Sequence, residues 1–181
     1  MHNGKKLSII LLSYYSKERI LKVYDELGGL LQKENIPFEF IVVDDGSQDN
    51  SYQIALDLER KHNNVSAYKL SRNYGSCSSC FAGMSLAKGD CVMPIVDDEQ
   101  QPYFTVVTCY RLWEKGNKII IPNRISRGDG IVARSLSRLF YKIMNVLSDV
   151  RYPEGGCDLA LIDREVVDII NNDIHHTNTS L

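Results

Sequence analysis

Through the first half of the chain, short apolar runs alternate with stretches that are apolar only every third or fourth residue. Residues 7–12 are apolar at every position but Ser8, the pattern of a strand covered on both faces in a parallel sheet. Ser16 is placed to cap a helix reaching residue 32, with Ile20, Leu21, Tyr24, Leu27 and Leu31 at helical spacing. Residues 38–43 form the second strand. Ser47 or Asp49 caps a helix carrying Tyr52, Ile54, Ala55 and Leu58. Residues 65–70 form the third strand, and a helix follows Gly75 through Phe81 and Met84. A turn at residues 88–90 leads into the fourth strand, residues 91–96.

This β-α-β-α-β-α-β order predicts an α/β fold, with a mostly parallel, Rossmann-like sheet and helices on both faces. Pro102 opens a further helix in its first turn, where the missing N–H costs little. Residues 118–121 read as a fifth strand. Residues 134–147 read as an amphipathic helix, with Leu136, Leu139, Phe140, Ile143 and Leu147 on one stripe. Residues 159–162 are a short strand and residues 164–170 a last helix. The loop 123–130, with two glycines, is the candidate for a lid.

At 181 residues and 44% hydrophobic content, the chain fits one ordinary domain with a real core. A net charge of −2 gives no broad basic face, so no nucleic-acid partner is expected. Five cysteines are an odd number and outline no disulfide framework, and a reducing cytosolic compartment suits them. Cys77 and Cys80 have a CxxC spacing. With no second pair and no nearby histidine, they read as small residues at a helix start. The apolar run 7–12 is too short for a signal peptide, and no segment approaches the roughly 18 apolar residues of a membrane span.

Candidate chemistry concentrates where two strands end. Val43 is followed by Asp44, Asp45, Gly46 and Ser47, and Val96 by Asp97, Asp98, Glu99 and Gln100. In an open α/β sheet, ligands bind in the crevice beyond the carboxyl ends of the strands. Asp44 and Asp45 can accept hydrogen bonds from a nucleobase or from ribose hydroxyls. Capping accounts for Ser47 and Asp49 but not for the acidic pair before Gly46. Asp98 and Gln100, two apart on an extended segment, offer a carboxylate and an amide oxygen on one side. Mg2+ takes one or two carboxylates along with phosphate oxygens and water. Acidic residues also favour a helix start, which is the plain electrostatic reading of the second cluster. Arg72 and the amides near Gly75 follow the third strand on the same edge. They suit either a phosphate or the tying-down of their own loop.

These segments together resemble family 2 glycosyltransferases of the GT-A fold, and within them the polyprenyl-phosphate branch typified by dolichol-phosphate mannose synthases. Ser8 through Tyr14 resembles the opening strand, and Val42 through Ser51 the nucleotide-binding signature. Leu70 through Gly75, then Ala82 with Gly83 and residues 87–90, match the next two blocks. Asp98, Gln100 and Pro102 match the metal motif. Arg124, Arg127, Ser137, Phe140 and Tyr141 resemble the acceptor-side block, and Asp158 through Arg164 the last one. Three positions depart from the pattern. Leu12 stands where proline is usual, Val96 replaces the first aspartate of the metal motif, and Glu99 replaces an apolar residue.

The resemblance implies a catalytic domain over residues 1–170 that binds a UDP- or GDP-linked sugar. It makes the polar tail 171–181 a truncation point before membrane-associated segments. It implies that Tyr14, Asp44, Asp45, Arg72 and Asp97 hold the nucleotide, and that Mg2+ or Mn2+ bridges Asp98, Gln100 and the diphosphate. Asp98, Asp158, Arg124 and Arg127 are the implied catalytic residues. The two arginines position a lipid phosphate, and Asp158 serves as general base if a glycan hydroxyl is the acceptor. Inversion at the anomeric carbon, a site on the cytoplasmic side of a membrane, a role in cell-envelope polysaccharide synthesis and room for a homo-oligomer complete the expectation.

Other readings fit less well. A nucleotidyltransferase would want a glycine-rich basic loop after the first strand, where Ser13, Tyr14, Tyr15 and Ser16 stand. A phospho-receiver would carry its acidic pair after the first strand and a lysine after the fifth, where this chain has Pro122 and Asn123. Val96 leaves one alternative, a GT-A domain that binds nucleotide with weak or no catalysis.

Overall fold

The computed structural model describes residues 4–97, 102–122 and 160–173. By its packing the chain divides into two units, Met1–Ile120 with Leu161–Leu181, and Ile121–Ala160. The expected loop 123–130 and helix 134–147 belong to the second unit and lie outside the described residues.

In the first unit, β1 (Leu7–Ser13), α1 (Arg19–Lys33), β2 (Phe38–Asp44), α2 (Ser51–Lys61), β3 (Val65–Lys69), α3 (Ser76–Leu86) and β4 (Cys91–Val96) alternate as the apolar runs predict. They are followed by α4 (Phe104–Glu114), β5 (Ile119–Ile120), β6 (Leu161–Asp163) and α5 (Arg164–Asp173). The sheet order is β3-β2-β1-β4-β6-β5. β1 pairs in parallel with β2 and β4, and β2 with β3, while β6 runs antiparallel to β4 and β5. The expected mostly parallel sheet is therefore observed, with an antiparallel flank.

Successive strand residues point to opposite faces. Leu7, Ile9 and Leu11 of β1, with Phe40, Val42, Met93 and Ile95 of its neighbours, join α1, α2 and α4 in one core cluster. Ile10, Ile41, Val43 and Val92 join Met84 of α3 and Val167 of α5 in another. Both faces are covered, which is why these strands read as nearly unbroken apolar runs. Full burial of one such side chain stabilises by roughly 1.5–3 kcal/mol. Gly83 lets α3 lie against β1, since a Cβ there would stand 2.4 Å from Ile10 Cγ2. Pro94 removes a ladder donor from β4. Of β4, only Cys91 and Val92 pair with β6, so among the described residues Pro94 has a single paired neighbour, Ile10.

Carboxylates tie the amino edge of the sheet, Glu39 and Asp163 among them. Glu39 accepts from Lys6 Nζ at 2.8 Å, Ser8 Oγ at 2.6 Å and the Lys88 amide at 2.6 Å. Burial works to raise its pKa, but these bonds and the Lys6 charge outweigh it and hold the carboxyl below its ordinary value. Asp163 accepts from Trp113 Nε1 at 2.6 Å, Lys118 Nζ at 3.0 Å and the Glu165 amide at 3.1 Å. Here too burial pushes up, and the three hydrogen bonds bring the carboxyl below its usual range. Asp163 thus caps α5. The neighbouring Arg164 guanidinium donates to the carbonyls of Ala87 and Gly89.

Helix starts differ from the sequence reading. Ser16 does not cap α1, which begins at Arg19. Tyr15 and Lys17 adopt positive φ (53° and 46°), which places a turn before the helix. Ser16 Oγ accepts the Tyr14 amide at 3.0 Å instead. At α2 the N-cap is Asn50, whose side chain makes no capping bond, and Asp49, one residue earlier, takes the Ser51 amide at 3.0 Å. The strands expected at 118–121 and 159–162 are Ile119–Ile120 and Leu161–Asp163, and the last helix continues to Asp173.

Candidate active site

Strand register gathers the candidate residues at one edge. Ser13 of β1 lies opposite Asp44 of β2, and Asp44 opposite Lys69 of β3. On the other side, Leu12 lies opposite Val96, the last residue of β4. Tyr14, Asp45, Leu70 and Asp97 therefore leave the sheet side by side. The order also reverses at β1, with β2 and β3 on one side and β4 on the other. That is the switch point at which open α/β sheets bind ligands.

Asp44 is fully buried. Its Oδ2 accepts the Ser47 amide at 3.0 Å, and its Oδ1 is buried without a hydrogen-bond partner among the described residues. Leaving such an atom unpaired costs about 1–3 kcal/mol, and most buried polar groups avoid it. Asp45 is used on both oxygens, taking the Tyr74 amide at 2.8 Å and the Gly75 amide at 2.9 Å. The β2–α2 turn presses against the β3–α3 loop at Gly46 (φ 75°), where a Cβ would stand 2.5 Å from the Arg72 carbonyl carbon. Lys69 adds a tie by donating to the Ser47 carbonyl at 2.6 Å. The acidic pair thus divides its work. One carboxylate organises the neighbouring loop, and the other keeps an oxygen unpaired.

Tyr14 and Tyr15 are exposed and meet edge to face, with ring centroids 4.6 Å apart. A non-glycine residue at positive φ costs of order 1–3 kcal/mol, so Tyr15 and Lys17 need restraint. The Tyr15 amide donates to Ser47 Oγ and the Lys17 amide to Ser51 Oγ, each at 2.9 Å. Arg19 donates Nε to Asp97 Oδ2 at 2.8 Å and Nη2 to the Tyr15 carbonyl at 3.1 Å. The exposed Arg72 stacks its guanidinium on the Tyr74 ring at 4.8 Å. The Tyr74 hydroxyl meets Ser71 at 3.1 Å. That hydrogen bond first, and then Arg72, hold the Tyr74 hydroxyl below its ordinary pKa.

Tyr14, Asp44, Asp45, Arg72 and Asp97 therefore lie on strand ends and loops of one edge. Asp98, Gln100, Arg124, Arg127 and Asp158 fall outside the described residues. Among the described residues, no three His, Cys, Asp or Glu side chains are grouped to hold a metal ion. No described helix is long and apolar enough to cross a membrane. Cys77 and Cys80 are free, and burial, then the neighbouring Cys77, pushes the Cys80 thiol up to about 11. Sequence reasoning missed Arg19, Ser47 and Ser51 as ties. Spacing carries no signal for a contact between Arg19 and Asp97, 78 residues apart.

The sheet order, with its acidic edge at the switch point, is that of a GT-A-type fold. The Glycosyl transferase family 2 model matches residues 8–170, and the chain belongs to that family. Over 166 residues it is 30% identical to an uncharacterized glycosyltransferase of Synechocystis sp., covering 91% of this chain and 52% of that protein. Over 166 residues it is 29% identical to the bactoprenol glucosyl transferase of Shigella phage SfV, covering 91% of this chain and 54% of that protein. Among solved structures, a mannosyltransferase from Pyrobaculum calidifontis in complex with GDP-Man and Mn2+ has the same fold. The TM-score is 0.63 at 16% identity, over 93% of this chain and 47% of that one. The chain spans about half the length of the curated relatives it matches.

Proposed function

We propose that the chain is the donor-binding, catalytic part of an inverting glycosyltransferase that moves a sugar from a UDP- or GDP-linked donor to a polyprenyl phosphate. The observation that carries this reading is the shared edge, with Ser13 opposite Asp44 and Val96 opposite Leu12, which gathers Tyr14, Asp44, Asp45 and Asp97 around the switch point. The family match and the similarity to a bactoprenol glucosyl transferase support it.

In this reading the nucleoside lies beyond the end of β1. The unpaired Oδ1 of Asp44 accepts from a base N–H or a ribose hydroxyl. Tyr14 offers an exposed ring beside it. Asp45 acts through the backbone of Tyr74 and Gly75, and so holds the loop that offers Arg72 to a phosphate. The oxygen donors of Asp98 and Gln100 fit a hard cation. A bound Mg2+ or Mn2+ supplies charge neutralisation to the departing diphosphate. An acceptor phosphate oxygen attacks the anomeric carbon as the bond to the diphosphate breaks, which inverts that centre. The phosphate is already an anion, so positioning by Arg124 and Arg127 replaces a strong base. With a hydroxyl acceptor, Asp158 takes the proton.

Calorimetric titration of UDP and GDP, with and without Mn2+, tests the donor half. Metal-dependent binding of one nucleotide is expected, and binding of neither overturns the reading. Transfer to polyprenyl phosphate by the full-length protein, offered a panel of sugar nucleotides, tests the rest. Turnover that disappears in Asp98→Asn is expected. Nucleotide binding without turnover on any acceptor would leave a binding domain that does not catalyse.

A further inference from the structure

We propose that Arg19 is a positioning residue of the donor site. It locks the β1–α1 loop to the carboxyl end of β4 and so preassembles the edge that receives the nucleotide diphosphate, an inference that rests on the donor-binding reading above. Its guanidinium joins two elements far apart in sequence, with Nε 2.8 Å from Asp97 Oδ2 and Nη2 3.1 Å from the Tyr15 carbonyl. Tyr15 stands at positive φ, so its loop persists only if it is held from outside. Ser47 Oγ holds its N–H and Arg19 holds its C=O. The Ser47 amide in turn donates to Asp44. Asp97, Arg19, Tyr15, Ser47 and Asp44 thereby form one hydrogen-bonded path across the ends of β4, β1 and β2.

Charge adds a second reason. The Asp97 side chain is 14% exposed and that of Arg19 is 52% exposed. A lone carboxylate at this rim would repel a diphosphate. Arg19 neutralises it, and its exposed guanidinium contributes positive field where an anionic donor arrives. A lysine at this position would keep the charge. It lacks the planar fork that reaches a carboxylate and a carbonyl together.

The test sets nucleotide affinity against stability in the full-length protein. UDP and GDP are titrated by calorimetry into wild type, Arg19→Gln, Arg19→Lys, Asp97→Asn and the double variant Arg19→Gln/Asp97→Asn, and melting temperatures are taken alongside. Arg19→Gln is expected to weaken the nucleotide that wild type binds by about tenfold, with little change in melting temperature. Arg19→Lys should weaken it less. The double variant should bind no more weakly than Arg19→Gln, because both changes break one contact. Affinity within about twofold of wild type in Arg19→Gln overturns the proposal, and so do losses that simply add in the double variant. If Arg19→Gln does not fold, unchanged affinity in both Arg19→Lys and Asp97→Asn overturns it. Wild type that binds neither nucleotide sinks the donor-site reading itself. Wild type that binds while the variants do not differ sinks only the role of Arg19.

Discussion

Asp45 holds Gly75 from 30 residues away, its Oδ2 accepting the Gly75 amide at 2.9 Å while Oδ1 takes the Tyr74 amide at 2.8 Å. Gly75 has φ 88°, a conformation that favours glycine. A carboxylate at the end of β2 therefore sets the path of the loop that follows β3, and with it the place from which Arg72 projects.

Asp45→Asn keeps the shape and loses this arrangement. One of the two amides then faces an NH2 group in place of an oxygen. A loss of about 2–3 kcal/mol in urea unfolding is expected, because the bonds to a charged acceptor are the strong ones. An unchanged midpoint would mean that the loop holds itself.

Gly46 and Gly116 both have positive φ, 75° and 99°, but their surroundings differ. A Cβ on Gly46 meets the Arg72 backbone at 2.5 Å, and one on Gly116 meets nothing within 4 Å among the described residues. Gly116→Ala should cost about 1 kcal/mol of backbone strain alone. Gly46→Ala should cost that plus about 1–3 kcal/mol of overpacking. Melting temperatures of the two variants, measured side by side, check the difference.

Acid should weaken the fold through Glu39 and Asp163. Both carboxyls titrate below their ordinary values when folded. Each therefore contributes stability that is fully present above the unfolded pKa, about 4, and is lost as pH falls through the lower folded value. Thermal melts between about pH 7 and pH 3 should show a decline confined to the acid end. Asp163→Asn should lower stability at neutral pH and flatten that decline. An equally steep decline in this variant would remove Asp163 from the account.

Thiol labelling of the native protein should separate the described cysteines. Cys77 is exposed, whereas Cys91 and Cys109 are buried and burial pushes their thiols up. The Cys80 thiol, pushed up to about 11, should react slowly at mild alkaline pH. Mass spectrometry after brief labelling should find Cys77 modified first. Early modification of Cys91 would reveal opening of β4, a central strand of the sheet.

Much of this protein was legible without coordinates. Residues 7–12, 38–43 and 91–96 announced strands covered on both faces, because a strand packed between two helical layers has no solvent side to make polar. The acidic residues after Val43 and Val96 pointed to one edge, because parallel strands of an alternating chain end on the same side. Only the tertiary structure decided what Asp44, Asp45 and Asp97 bond to. Asp45 and Asp44 are neighbours of identical chemistry. One is spent on amides 29 and 30 residues later, and the other keeps an oxygen unpaired. Ser16 looked like a helix cap and is not one, because Ser47 and Ser51 hold the preceding turn at positive φ. Asp97, expected from the family resemblance to hold the nucleotide, is paired to Arg19, 78 residues before it. Periodicity along a chain reports how each element is buried. Which loop meets which depends on strand register and order, and these exist only once the sheet has formed.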